Sequence, residues 1–329
     1  MFPYVGGFRV LATMIDPASL MPIAVELIRC GEAFDFDLFL RDGMGGKPAL
    51  YRGKSFPIQR SDLDALKRRG IRTLFIASDT LAEYERYLHD RVLTDDNATP
   101  SMRFCALREA NRSVFLSALH EKHVGRVVEV ASELAIELAN VVCNEERTVD
   151  NLFKLLSHDY YTYTHVTNVC VYTLALAQKM GMSSQTELAE LATGALLHDV
   201  GKRYVPVEIL NKRGKLTDEE FGVVKRHPLT GFQDLCQRED LSWRQLMMVY
   251  QHHEKLDGRG YPARVSGDEI LPWSRICAVA DVFDALTSHR PYRGPMPLAE
   301  VREFFQKNAG THFDAEMVRC WDSALHVGA

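Results

Sequence analysis

From about residue 148 to its end, this chain repeats one pattern: apolar residues at helical spacing, in runs separated by short polar loops. Segments 151–179, 185–197, 217–239, 243–253, 274–288 and 297–307 each read as a helix, and Thr217 with Glu220 forms a capping box at the start of one of them. A run of helices with nothing between them but loops can bury its apolar faces only against other helices. The C-terminal half is therefore expected to be all-α.

The first hundred residues obey a different rule. Phe34-Asp-Phe-Asp-Leu-Phe-Leu opens by alternating apolar and acidic side chains, the period of a half-buried strand. The turn-prone Asp42-Gly-Met-Gly-Gly-Lys-Pro follows, then Ala49-Leu-Tyr, which predicts a hairpin with a loop longer than two residues. A short helix is expected to open at Ser61 and stop at Gly70, before a strand over Ile71–Ile76. Asp79, just beyond it, lacks supporting acids and reads as a helix start, not a phosphoacceptor. Residues 101–147 are helical again, as one long helix or a pair, with an apolar stripe that serves either as a dimer seam or for packing on its own domain. The expected organisation is thus mostly α: a small α+β regulatory or dimerisation domain over 1–100, a connecting helical segment over 101–147, and an all-α domain over 148–329.

Composition narrows the function classes. At 46% hydrophobic and 25% charged residues, the chain can bury a sizeable core. Its net charge of −5 gives no global basic field for DNA, so a phosphate-bearing ligand must be held by a local site. The most apolar run, Leu134–Cys143, is interrupted by Glu137 and Asn140, which excludes membrane insertion as a helix. The N-terminus has no basic stretch followed by an apolar one, and the seven cysteines form no C-x-x-C pair. Both points suit a reducing, cytoplasmic location.

The chemistry lies in the histidines. His198-Asp199-Val-Gly-Lys202 closes one predicted helix, and His252-His253-Glu-Lys-Leu-Asp257-Gly-Arg-Gly-Tyr-Pro262 closes another. His165 lies ahead of them, His227 between them, and Asp281 and Asp284 beyond them, one helical turn apart. Neighbours on a helix point about 100° apart, so a doublet addresses one cavity most easily at a last turn, and each of these doublets is followed by glycine. Imidazole with carboxylate suits borderline divalent metals. An aspartate can bridge two such ions, and a pair of them can lower the pKa of a bridging water and stabilise a leaving alkoxide. Two ions bring +4, which two aspartates, a hydroxide and a phosphodiester balance. The inventory fits metal-assisted phosphodiester hydrolysis.

These segments, HDVGK at 198–202, HHEKLDGRGYP at 252–262 and RICAVADVFDALTSHRPYR at 275–293, resemble the HD superfamily of metal-dependent phosphohydrolases and, within it, the HD-GYP branch. The resemblance runs from about Asp150 to the C-terminus. It implies an HD-type helical domain that hydrolyses cyclic di-GMP to linear pGpG, and on to GMP in some members. It also implies that His165, His198, Asp199 and Asp281 hold one metal, and that Asp199, His227, His252 and His253 hold the other, with Asp199 as the bridge. Iron or manganese leads the expected ions; zinc, nickel and cobalt suit the same ligands. Lys202 is expected at the scissile phosphate, with Gly260, Tyr261, Asp284, Arg290 and Arg293 among the substrate contacts. Asp257 and Glu254 are expected to support the site without ligating. Three-metal members carry a glutamate one turn before the first histidine; here Tyr161 stands there, which predicts two ions and puts the second hydrolytic step in doubt. The family also implies contact of the Gly260-Tyr261-Pro262 loop with GGDEF-type cyclases. A rival reading is a catalytically weak receptor or scaffold for the dinucleotide.

Overall fold

The computed structural model describes residues 16, 19–41, 48–111, 115, 118, 123–143, 162–212, 214–288 and 294–326. The expected turn over 42–47 and the residues Tyr161, Arg290 and Arg293 lie outside them. The chain divides into two compact units, Met1–Ser113 and Val114–Ala329.

The first unit holds β1 (Leu20–Ala24), β2 (Leu38–Arg41), β3 (Pro48–Arg52), α1 (Arg60–Arg68), β4 (Thr73–Ala77), α2 (Leu81–Tyr87) and α3 (Pro100–Ala110). The strands form one antiparallel sheet in the order β1-β4-β2-β3. Pairing of β2 with β3 confirms the predicted strands, with a register shift between Leu38 and Phe39. β1 was not foreseen: its sequence, LMPIA, contains Pro22, which cannot donate to a ladder and is tolerated because β1 is an edge strand. α1 starts one residue earlier than expected, because Gln59 and Asp62, not Ser61, form its capping box. Leu27, Phe34, Phe36, Leu38, Leu74, Ile76 and Tyr84 are buried together as the core of this unit.

The second unit is all-α over its described residues. Apart from a single helical turn over Val207–Leu210, its α-helices are α4 (Gly125–Cys143), α5 (Thr162–Lys179), α6 (Gln185–Leu197), α7 (Asp218–Val224), α8 (His227–Leu235), α9 (Trp243–Gln251), α10 (Pro272–Thr287), α11 (Leu298–Lys307) and α12 (Ala315–His326). The segment read as a connector, 101–147, is divided between the units: α3 falls in the first and α4 in the second. The apolar stripe of α4, from Val127 through Leu134 to Val142, is buried, and the helix packs on α6 and α5. α5 and α10 flank the centre of the unit, where Tyr172, Phe283 and Trp321 meet edge to face, with centroids 4.8–5.7 Å apart. No helix among the described residues is long and apolar enough to cross a membrane.

Two departures shape the site. The helix expected over 217–239 is broken at Lys225–Arg226, because Pro228 sits in the first turn of a new helix, where its missing N–H costs nothing. α9 stops at Gln251, so His252 and His253 stand just past its end.

Candidate metal centre

Three helices end against one cavity. His198 caps the C-terminus of α6, His252 caps that of α9, and His227, three residues past the end of α7 at Val224, opens α8. In each, the ring Nδ1 lies within hydrogen-bond distance of a carbonyl three residues earlier: Ala195 at 2.6 Å, Val249 at 2.9 Å and Val224 at 2.8 Å. A carbonyl only accepts, so each Nδ1 carries the proton and each Nε2 presents a lone pair. The helix ends thereby satisfy one of their orphan carbonyls, and their negative dipole ends face the cavity.

The converging atoms form two groups, Asp199 with His227, His252 and His253, and His165 with His198 and Asp199. Within each group the candidate ligand atoms all lie within 4.8 Å of one another, and Asp199 belongs to both. Its Oδ1 is 3.1 Å from His227 Nε2, and its Oδ2 is 3.4 Å from His198 Nε2 and 3.5 Å from His165 Nε2. Asp281, on α10, lies between the groups, 3.2 Å from His165 Nε2 and 3.6 Å from His253 Nδ1. All seven expected ligands are thus brought together, six of them buried and His253 half-buried.

The arrangement calls for a cation. His227 Nε2 and His252 Nε2 face each other at 3.1 Å, although the carbonyls leave neither with a proton. His198 Nε2 and Asp199 Oδ1 are buried without a hydrogen-bond partner. Opposed lone pairs and orphaned acceptors are costly in a low-dielectric interior unless a positive charge joins them. The titration behaviour agrees. Burial opposes charge on His165, yet Asp199, Asp281 and Asp284 outweigh it and hold its pKa well above the usual imidazole value. Burial and the neighbouring imidazoles keep His252 neutral, and burial draws His253 down to about 3. Neutral His252 and His253 beside ionised Asp199 and Asp281, whose pKa values are held low against the effect of burial by Lys202 and His198 and by His165 and His253 respectively, are donors suited to divalent transition metals.

Close packing of glycines builds the geometry. A Cβ on Gly201 would lie 2.0 Å from His227 O and 2.6 Å from Gly231 N, so α8 rests directly on the turn that carries Asp199. The 252–262 segment folds back on itself in a similar way. A Cβ on Gly260 would lie 2.4 Å from Glu254 Cα. Glu254 Oε1 accepts from the N–H groups of Ala263 and Arg264, and Tyr261 N–H donates to His253 O. Gly260, expected at the substrate, is buried in this close contact instead; only glycine fits there. The Tyr261 ring lies on that of His253, with centroids 4.7 Å apart.

Asp284 is also placed differently from expectation. It is buried behind His165, with Oδ2 2.7 Å from His165 Nδ1, while Oδ1 accepts from Asn168 Nδ2 and Ser288 Oγ. One turn after Asp281 on the same helix, it orients the imidazole from behind and does not reach the open side of the cavity. Asn168 and Ser288, which hold it, were not read from the sequence, since a buried amide and a serine at a helix end carry no distinctive signal. Lys202 donates to Asp199 Oδ2, at the edge of the bridge position.

The sequence pattern of the HD domain family matches residues 136–317, more than half the chain and including every residue of this cluster. The chain belongs to the HD domain family. A cyclic di-GMP phosphodiesterase from Pseudomonas aeruginosa is 34% identical over 240 residues, which cover 72% of this chain and 56% of that protein. A 3'3'-cGAMP-specific phosphodiesterase from Vibrio cholerae is 36% identical over 61% of this chain and 37% of its own length. A cyclic di-GMP phosphodiesterase from Thermotoga maritima is 38% identical over 50% and 44%. The chain therefore spans between about a third and just over half of these HD relatives. A solved HDG"Y"P protein from Bdellovibrio bacteriovorus has the same fold, with a TM-score of 0.65 over 93% of this chain and 99% of its own, at 20% identity.

Proposed function

We propose that this chain is a metal-dependent phosphodiesterase that hydrolyses cyclic di-GMP to linear pGpG. The observation that carries the proposal is the buried pair of His/Asp groups sharing Asp199, with its opposed imidazole lone pairs. We assign His165, His198, Asp199 and Asp281 to one ion and Asp199, His227, His252 and His253 to the other, with iron or manganese foremost. Ions bound there would supply Lewis-acid activation of water and of the phosphate.

The protein's own groups do the rest. Asp199 sets the spacing of the two halves, and Asp284 fixes the ring of His165. Lys202 places an ammonium beside Asp199, where it stabilises charge on the phosphate as the bond to the leaving oxygen breaks. Tyr261, held over His253, walls the cavity on the side of the 252–262 loop. The same loop is our candidate surface for a GGDEF-domain protein. Residues 1–100 are assigned a regulatory or homodimerising role, and the protein is placed in the cytoplasm, consistent with its cysteines being unpaired among the described residues.

The relatives named for 3'3'-cGAMP favour a second reading, in which the hybrid cyclic dinucleotide is the substrate. Both nucleotides should therefore be assayed with protein of measured metal content, beside Asp199→Ala. We expect about two metals per chain in the wild type, metal-dependent formation of the linear product, and loss of both in the variant. Wild-type protein that binds metal and dinucleotide yet yields no product would leave the receptor reading in its place.

A further inference from the structure

The cluster commits one lysine, Lys202, to Asp199; a second lysine stands at its rim without an anionic partner. Lys225 caps the C-terminus of α7, its N–H bonded to Phe221 O. Its side chain is exposed. Among the described residues its ammonium meets no carboxylate. It lies 4.4 Å from the centroid of the Phe221 ring and 5.9 Å from that of Tyr261, and Tyr261 in turn lies on His253. Only one ring thus separates Lys225 from a metal-ligand candidate. Holding a rotamer-rich side chain in that place costs entropy that an exposed cation–π contact barely offsets. The contact therefore pre-sets the ammonium more than it stabilises the fold.

A cyclic dinucleotide carries two phosphodiesters, each with one negative charge. The His/Asp centre and Lys202 serve the one being cut. The other must be met outside that centre by water or by a cation. We propose that Lys225 is a substrate-binding residue whose ammonium takes this second phosphodiester, an inference that rests on the phosphodiesterase reading above. A lysine suits the role because it is a compact point charge that does not require planar, two-pronged geometry. Lys225 then discriminates cyclic dinucleotides from diesters that carry a single phosphate.

The test uses the metal-loaded full chain, with Lys225→Met, which keeps an apolar stem over the two rings, and Lys225→Arg, which keeps the charge. Each is assayed on cyclic di-GMP and on bis(p-nitrophenyl) phosphate, which has one phosphodiester. Loss of one charge-assisted contact at the rim should raise KM for the dinucleotide about tenfold in Lys225→Met. We expect its kcat, and both constants for the small diester, to stay unchanged. Lys225→Arg should retain most of the affinity, and the rise of KM with salt should be shallower in Lys225→Met. An unchanged KM for the dinucleotide would overturn the assignment. So would an equal loss on both substrates, since that would make Lys225 a brace for the Tyr261 loop. Wild-type protein that cleaves the small diester but neither binds nor cleaves the dinucleotide would instead refute the phosphodiesterase reading, and the role of Lys225 with it.

Discussion

Gly201→Ala tests whether the site depends on the contact between α8 and the turn bearing Asp199. The new methyl would sit 2.0 Å from His227 O, whereas ordinary contact begins at 3.4 Å, so one backbone must retreat by about 1.4 Å. The other neighbours are the N–H of Gly231 and the Thr230 hydroxyl, also parts of α8, so the strain cannot be relieved by turning a flexible side chain. α8 begins at His227, whose Nε2 lies 3.1 Å from Asp199 Oδ1. A shift of that size carries His227 out of ligand distance of the atoms it now faces. Overpacking of this kind costs about 1–3 kcal/mol of stability, which a domain of this size tolerates. A misplacement near 1 Å at a reacting centre costs on the order of 100-fold in rate. We expect a folded protein by circular dichroism, a metal content reduced from about two to about one per chain by elemental analysis, and turnover lowered at least about 100-fold. Full metal content with turnover within a few-fold of wild type would refute the view that this glycine contact sets the ligand geometry.

Two further outcomes follow from the same geometry. Asp284→Ala removes the acceptor behind His165 Nδ1 and leaves Asn168 and Ser288 without their shared partner, so metal affinity should fall about 10- to 100-fold in a chelator competition, while helix content is kept. His312 is half-buried with its ring stacked on Phe313, and burial, then Lys255, draw its pKa down to about 4 from 6.5. Because the folded state favours the neutral ring, this contribution to stability is present above pH 6.5 and is lost as pH falls from 6.5 toward about 4. Thermal melts of metal-free protein should show a shallower loss of Tm between pH 7.5 and 5 in His312→Gln than in wild type; parallel losses would show that His312 does not drive the acid limb.

The doublets His198-Asp199 and His252-His253 were legible as candidate ligands because each stands where a helix runs out, a position that follows from periodicity and glycine placement. The assignment of His165, His227 and Asp281 beside them came from the family resemblance. What the sequence left open was direction. Asp281 and Asp284 are one turn apart on one apolar helix, and nothing in their spacing says which faces the cavity and which stands behind His165. Gly260 was misplaced for a related reason: a glycine that yields to a nearby backbone and one that yields to a ligand look alike until the chain folds back. The break after Val224 was hidden by a continuous helical pattern, although Pro228 marked it. α12 also escaped notice, although Asp314, which accepts from the N–H of Glu316, announces its start. Within the first unit, Pro22 concealed β1, because whether proline is tolerated depends on a strand's being at an edge, which is a property of the whole sheet.

The bonds from three imidazoles to carbonyls three residues earlier have a consequence for how such a chain can change. Each ring is aimed by a carbonyl in the last turn of the helix before it, so the length of that helix and ligand direction are a single variable. Inserting or deleting one residue in the last turn of α6, α7 or α9 would swing the ring by about 100° and move it about 1.5 Å along the axis. These three helix ends should therefore tolerate substitution at their outer faces but no change in length.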